Sequence, residues 1–145
     1  MKILDEIKKS WGWTGLIPVE VVAENEFANF ILKDAKGRFW RLCPEDVYCE
    51  VIANDTSEYN ELVKDEEFSI DWFMEKMVNE AKENLGELPD GMKYHMTIPG
   101  PLGGEYGGSN LKIVSTLEII RYSGSLGYQT KDLAQGEIFE FKVID

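Results

Sequence analysis

Apolar residues recur at two different periods along the chain, and the change of period separates predicted helices from predicted strands. Four apolar residues near the start share one face at helical spacing, which predicts a short amphipathic helix over residues 3–11. From Pro18 onward, β-branched and aromatic residues dominate and predict strands. We expect four of them, over residues 19–23, 28–33, 38–42 and 47–53.

A short polar segment separates the second and third of these strands. Residues 34–37 read Asp-Ala-Lys-Gly, and Gly37 can adopt a positive φ, as a tight turn requires. The segment therefore predicts a β-hairpin. Because the links between the four strands are short, an antiparallel meander is the simplest sheet that accommodates them.

The helical period returns in the second half of the chain. A helix is expected after residues 54–57, and a longer amphipathic helix is predicted over residues 69–85, followed by Gly86 and Pro89. Seven residues define the apolar face of the longer helix: Ile70, Phe73, Met74, Met77, Val78, Ala81 and Leu85. This helix is expected to lie on the sheet.

The last third of the chain mixes all three kinds of segment. Residues 93–98 predict a fifth strand, and five glycines within residues 99–110 predict an irregular loop. Ser115 and Glu118 have the spacing of a capping box, so a third helix is expected to begin there. Small residues at 123–127 indicate either close packing of that helix or a break in it. Alternation over residues 138–143 predicts a final half-buried strand.

Taken together, the elements predict an α+β fold, in which a mostly antiparallel sheet of five to six strands carries two to three helices. The chain has 145 residues, 43% of them hydrophobic, which suits one core. We therefore expect a single domain over residues 1–145.

Charge narrows the classes of possible function. The chain carries 15 Lys and Arg against 27 Asp and Glu, a formal net charge of −12 at pH 7. A protein that neutralises nucleic-acid phosphates needs a basic surface, and an anionic membrane repels an acidic one. The charge therefore disfavours direct binding to nucleic acid or membrane, and it suits either a solvated surface or a basic partner.

The cysteines and the N-terminal residues bear on the compartment. No apolar run of the length that a secretory signal needs follows Met1, and two cysteines, Cys43 and Cys49, are too few for a disulfide framework. We expect a cytoplasmic protein with free thiols. Because a structural zinc site needs four Cys or His ligands in close pairs, no zinc or other metal site is predicted.

The chain offers few candidates for catalysis. His95 is the one histidine and lies in a strand-like segment, and neither cysteine belongs to a recognisable nucleophile motif. The glycine-rich loop matches no phosphate-binding motif, and its acidic Glu105 would repel phosphate. Acidic runs and tryptophans are typical of solvated faces and cores. We therefore predict no catalytic residue and no cofactor.

Several motifs nevertheless occur together in one order. The most specific are Trp-Arg-Leu-Cys-Pro-Glu at residues 40–45 and Leu-Gly-Gly-Glu-Tyr at residues 102–106. In this order the chain resembles a bacterial family, the C-terminal domain of immunity proteins that neutralise DNase effectors of the type VI secretion system. The resemblance runs from about Trp11 to Val143; Ala28 departs from it, standing where glycine is expected. The other matching segments are residues 11–15, 71–72, 98–100, 118–120 and 123–124.

The resemblance implies a small protein that binds a toxin and blocks it without chemistry of its own. The expected partner is a cognate effector, a nuclease with a basic DNA groove, towards which an acidic protein would be steered. We expect the contact to include three surface carboxylates and two loop residues that anchor the toxin. They are Glu45, Asp46, Glu105, Tyr106 and Asn110.

Two other functions remain open from the sequence. One is a small ligand-binding or hydrolytic enzyme that uses His95 and nearby carboxylates, which a pocket containing His95 and a perturbed carboxylate would support. The other is a general protein-interaction module. The sequence does not fix the oligomeric state.

Overall fold

The computed structural model describes residues 2–132, and its centre is an antiparallel sheet of four strands that pair in chain order. The strands confirm the four predicted from residues 19–53, with ends shifted by one or two residues. Their bounds are β1 Pro18–Glu24, β2 Phe30–Asp34, β3 Phe39–Cys43 and β4 Tyr48–Ala53.

The predicted hairpin joins β2 to β3, and Asp34 holds its turn. The Oδ1 atom of Asp34 accepts hydrogen bonds from the backbone N–H groups of Lys36 and Arg38, both at 2.9 Å. Gly37 has a φ of 83°, in the left-handed region that glycine enters without steric cost. This hairpin is therefore held by local turn chemistry.

Five α-helices lie in residues 2–132, where two to three were expected. They are α1 Lys2–Trp11, α2 Thr56–Leu62, α3 Glu66–Phe73, α4 Glu75–Leu85 and α5 Thr116–Thr130. None of these helices has the length and hydropathy that crossing a bilayer would require.

The remaining strands form a separate sheet, which corrects the expectation of one sheet of five to six strands. Strand β5 (Met92–Met96) pairs antiparallel with β6 (Leu111–Ser115), a strand that the sequence analysis did not predict. The fold is α+β, with a sheet of four strands and one of two in the described residues. The strand predicted at residues 138–143 lies outside them.

The prediction of a single helix over residues 69–85 is also wrong, because the helix is interrupted at Met74. Met74 has a φ of 48° and separates α3 from α4. Asn25 fixes the break, since its side-chain amide donates to the carbonyl of Trp72 at 2.8 Å. Trp72 packs against the central sheet, whereas Val78 packs beside Tyr94 of the small sheet. The two halves thus bury faces against different cores, which one straight helix cannot do.

Helices cover the central sheet on both faces. Alternate residues of β2 point to opposite sides: Leu32 joins the cluster formed with α1 and α5, and Ile31 joins the cluster around Trp72. Strands β2 and β3 are almost wholly buried for this reason. These strands are rich in apolar residues because both of their faces pack against a core.

Close packing, one of the two possibilities left open for residues 123–127, is what the structure shows. Helix α5 continues through Gly124 and crosses α1, and a Cβ at Gly124 would lie 2.4 Å from the carbonyl oxygen of Ser10. The helix begins after Ser115 as predicted, but the expected capping bond is absent from the described residues. Thr116 instead donates from its N–H and hydroxyl to the carbonyl of Gly91.

Candidate functional site

A cleft of about 790 Å³ opens on the surface where α3 meets α4. One wall comes from these helices, on either side of the break at Met74. The opposite wall comes from the 3₁₀ turn Pro44–Asp46 and from Tyr106 in the glycine-rich loop. The fold thus brings two of the predicted contact regions to one place.

A buried polar network forms the floor of this cleft. Arg41 on β3 donates from Nε and Nη2 to Oδ1 of Asn29, at 3.1 and 2.9 Å, and forms an ion pair with Asp71 on α3. Asn29 also donates from Nδ2 to Oε1 of Glu45 at 2.7 Å. The network ties α3 to the central sheet, so the cleft has a well-held base.

Glu45 is placed differently from the surface carboxylate that the sequence analysis expected. Its exposed fraction is 2%, because the turn that begins with Pro44 directs it inward to Asn29. Burial is the main cause that raises its pKa above the usual value of a glutamate. Glu45 therefore supports the cleft from beneath and does not present a charge on its surface.

Asp46 and Tyr106 meet at the rim. The Tyr106 hydroxyl donates a hydrogen bond to Oδ1 of Asp46, and half of the Tyr106 surface stays exposed. Burial of the hydroxyl, followed by this bond to a carboxylate, raises the pKa of Tyr106. The contact depends on Gly100, because a Cβ there would lie 1.8 Å from the hydroxyl oxygen.

Asn110 and Glu105 do not line the cleft. The side chain of Asn110 donates to the carbonyls of Ile98 and Glu105, at 2.9 and 2.7 Å, and accepts from the Ile98 N–H at 2.8 Å. Asn110 thus holds the shape of the loop. Glu105 is exposed on the same loop, and the loop is tied to α4 because Glu80 accepts a bond of 3.0 Å from the Gly108 N–H.

The sequence analysis missed the apolar part of the cleft. Ile70 and Phe73 line it with exposed fractions of 67% and 63%, although the helical pattern placed both on a buried face. The break at Met74 explains the difference, because it lets α3 bury Trp72 while Ile70 and Phe73 face solvent. No feature of the periodic pattern marks the break, since a methionine in a left-handed conformation is rare.

The charged groups of the cleft are mostly acidic. Its described lining residues include four carboxylates and two cations, of which Glu45 and Arg41 are buried and Asp71 is paired with Arg41. The second cation is Lys76. The four carboxylates belong to Glu45, Asp46, Asp71 and Glu75.

His95 lies in a second, smaller cavity of about 260 Å³. Burial, aided by the neighbouring charge of Lys112, lowers the pKa of His95 to about 4. Its Nδ1 atom is buried without a hydrogen-bond partner in the part of the chain that the structure describes. No carboxylate is found among the described lining residues. A hydrolytic role for His95 would need a carboxylate beside it.

Cys43, Glu45 and Asp46 form one group with possible metal ligands, all within 4.8 Å of one another. Burial raises the pKa of the Cys43 thiol, and a protonated thiol is a poor ligand. The Glu45 carboxylate already accepts bonds from Asn29. These residues fit a hydrogen-bonded turn better than a metal centre. Both cysteines are free thiols.

Comparison with known proteins gives one match. A family model described as "T6SS immunity protein Tdi1, C-terminal" matches residues 53–127, which is just over half of the chain. The matched range contains α3, α4 and the glycine-rich loop, and hence most of the residues around the cleft. No curated protein matches the chain.

Proposed function

Since the chain belongs to the family of the C-terminal domain of the type VI secretion immunity protein Tdi1, we propose that it binds and neutralises a cognate antibacterial effector without catalysis. The observation that carries this proposal is the cleft beside α3, where exposed carboxylates and exposed apolar side chains lie together. Protein interfaces combine buried apolar anchors with a polar rim in this way.

The partner that best suits the charge of the chain is a nuclease. An enzyme that grips DNA needs a basic groove to neutralise phosphates. A protein with a net charge of −12 is attracted to such a groove over several ångströms and competes with DNA for it. The charge thus supports fast capture of a basic effector.

The loop that carries Glu105 and Tyr106 is suited to the contact because it is held in place before binding. Tyr106 is bound to Asp46, Gly108 to Glu80, and Asn110 to Ile98 and to Glu105. A surface that is already ordered loses little conformational entropy when a partner binds. We propose Glu105, Tyr106 and Asp46 as direct contacts, with Asn110 and Glu45 as the residues that position them.

A double substitution tests this assignment. The variant Glu105→Gln with Tyr106→Phe keeps the size of both side chains and removes a charge and a hydroxyl. We expect it to weaken binding to the protein encoded beside this chain at least tenfold in a purified complex. Glu20→Gln, which removes one exposed carboxylate from β1 outside the cleft, is the matched control. Unchanged affinity of the double variant would remove the loop from the interface.

A further inference from the structure

Ile70 and Phe73 have the largest exposed fractions among the large hydrophobic residues that the structure describes. They lie three residues apart on α3, so their side chains are neighbours on one face of the helix. A single exposed apolar residue is ordinary, but adjacent ones inside a cleft indicate a contact surface. Nothing in the described part of the chain covers them.

Helix α3 holds this pair rigidly. Asp65 caps the start of the helix, since its side chain accepts a bond of 3.0 Å from the Phe68 N–H. Near the other end, Trp72 is buried and its carbonyl accepts the bond from Asn25. Arg41 also joins this end of the helix to the sheet through Asp71. The backbone that carries the pair is therefore held in place before any partner arrives.

The charges around the pair select the kind of partner. Asp46 stands across the cleft and Glu75 begins α4 beside Phe73, whereas Lys76 is the one exposed cation among the described lining residues. A nucleic acid would meet carboxylates there. A second copy of this chain would bring two acidic surfaces together, which costs energy when the net charge is −12. A basic segment would be repelled by neither the carboxylates of the cleft nor the net negative charge of the chain.

We propose that Ile70 and Phe73 are the hydrophobic anchor of the effector contact, and that the cleft receives a basic amphipathic segment of the effector. An apolar side chain of that segment packs against Ile70 and Phe73, and its lysines or arginines face Asp46 and Glu75. This inference rests on the proposed function, because it names the partner chemistry of the same surface.

The anchor is tested with Ile70→Ala and Phe73→Ala against the purified protein encoded beside this chain, immobilised for binding kinetics. We expect each substitution to lower the affinity at least tenfold, mainly through faster dissociation, because anchors dominate interface energies. Thermal unfolding should stay unchanged since both side chains are exposed. Ile17→Ala is the matched control, because Ile17 is 56% exposed and lies outside the cleft; it should change the affinity less than twofold.

The proposed contact between a basic segment and the carboxylates of the cleft is tested through the association rate. Glu75→Gln should lower the association rate several-fold at 50 mM NaCl, and the difference from the wild type should shrink at 500 mM NaCl, where charges are screened. An association rate that responds neither to this substitution nor to salt would contradict a basic segment in the cleft.

The outcomes separate the inference from the function on which it rests. If the wild type binds the effector and both anchor variants bind within twofold of it, the inference is wrong and the proposed function stands. If the wild type does not bind, the proposed function itself fails. A wild-type dimer that Phe73→Ala dissociates would show that the cleft joins two copies of this chain, and it would also overturn the inference.

Discussion

Asp34 and Glu45 are both nearly fully buried carboxylates, yet their surroundings move their pKa values in opposite directions. Burial alone raises the pKa of Asp34, but bonds from Trp40 and Arg38 and from backbone N–H groups outweigh it and lower the value to about 2. For Glu45 burial prevails, and the bond from Asn29 does not offset it. One carboxylate stabilises the fold as an anion, and the other is destabilising when ionised.

Glu45→Gln should therefore raise stability at neutral pH. The folded pKa of Glu45 lies above its usual value, so the unfolded chain ionises first as the pH rises above about 4.5, and the folded state becomes less stable relative to it. Glutamine does not titrate, and its oxygen can still accept from Asn29. Urea unfolding should show an advantage for the variant at pH 7.5 that disappears near pH 4.

Asp34→Asn is the control for Glu45→Gln, because it should lower the stability at neutral pH. A pKa lowered from 3.8 to about 2 corresponds to a contribution of about 2 kcal/mol to the free energy of unfolding. That contribution is present above pH 3.8 and is lost as the pH falls towards 2. An Asp34→Asn variant that is as stable as the wild type at pH 7 would contradict this account. A Glu45→Gln variant that is less stable than the wild type at pH 7 would also contradict it.

At the residue scale, the sequence analysis grouped residues that the fold brings together, but it did not give the surroundings of each one. Asp46 and Tyr106 do meet at one cleft, although they are 60 positions apart. Glu45 and Asp46 are adjacent in the sequence, yet only the turn geometry decides that one is buried and the other reaches the rim. Side-chain direction within a 3₁₀ turn leaves no periodic signal, so the sequence could not separate them.

At the scale of elements, predictions succeeded where local chemistry decides the structure. The hairpin between β2 and β3 depends on Asp34 and Gly37, which lie three positions apart in the chain, and it was predicted correctly. The break at Met74 depends on Asn25, nearly fifty positions away. The sequence pattern contains no trace of that bond, so one helix was predicted where two are present.

The crossing of α1 and α5 yields a prediction for Gly124. Alanine normally stabilises a helix interior by about 1 kcal/mol relative to glycine. Here the added Cβ would lie 2.4 Å from the backbone oxygen of Ser10, which cannot move without shifting α1. We expect Gly124→Ala to lower the free energy of unfolding by about 2 kcal/mol in urea denaturation.

Gly12→Ala is the control for this substitution. A Cβ at Gly12 would have no heavy atom within 4 Å. We expect its free energy of unfolding to stay within about 0.5 kcal/mol of the wild type. A Gly124→Ala variant as stable as this control would show that the two helices do not cross as closely as described.

At the scale of the whole molecule, charge and fold support the same proposal. The net charge of −12 suits the proposed basic partner, and the cleft beside α3 places exposed apolar side chains on part of that acidic surface. Composition predicted the first of these features. The second depends on how α3 and α4 are arranged on the two sheets, which is a property of the complete fold.

Co-expression with the neighbouring gene tests the central claim most directly. The product of that gene should arrest bacterial growth when expressed alone. Expression of this chain in the same cells should restore growth, and the two proteins should purify together as a complex. Continued arrest in the presence of the folded chain, or a harmless neighbouring product that forms no complex with it, would contradict the assignment of an immunity function.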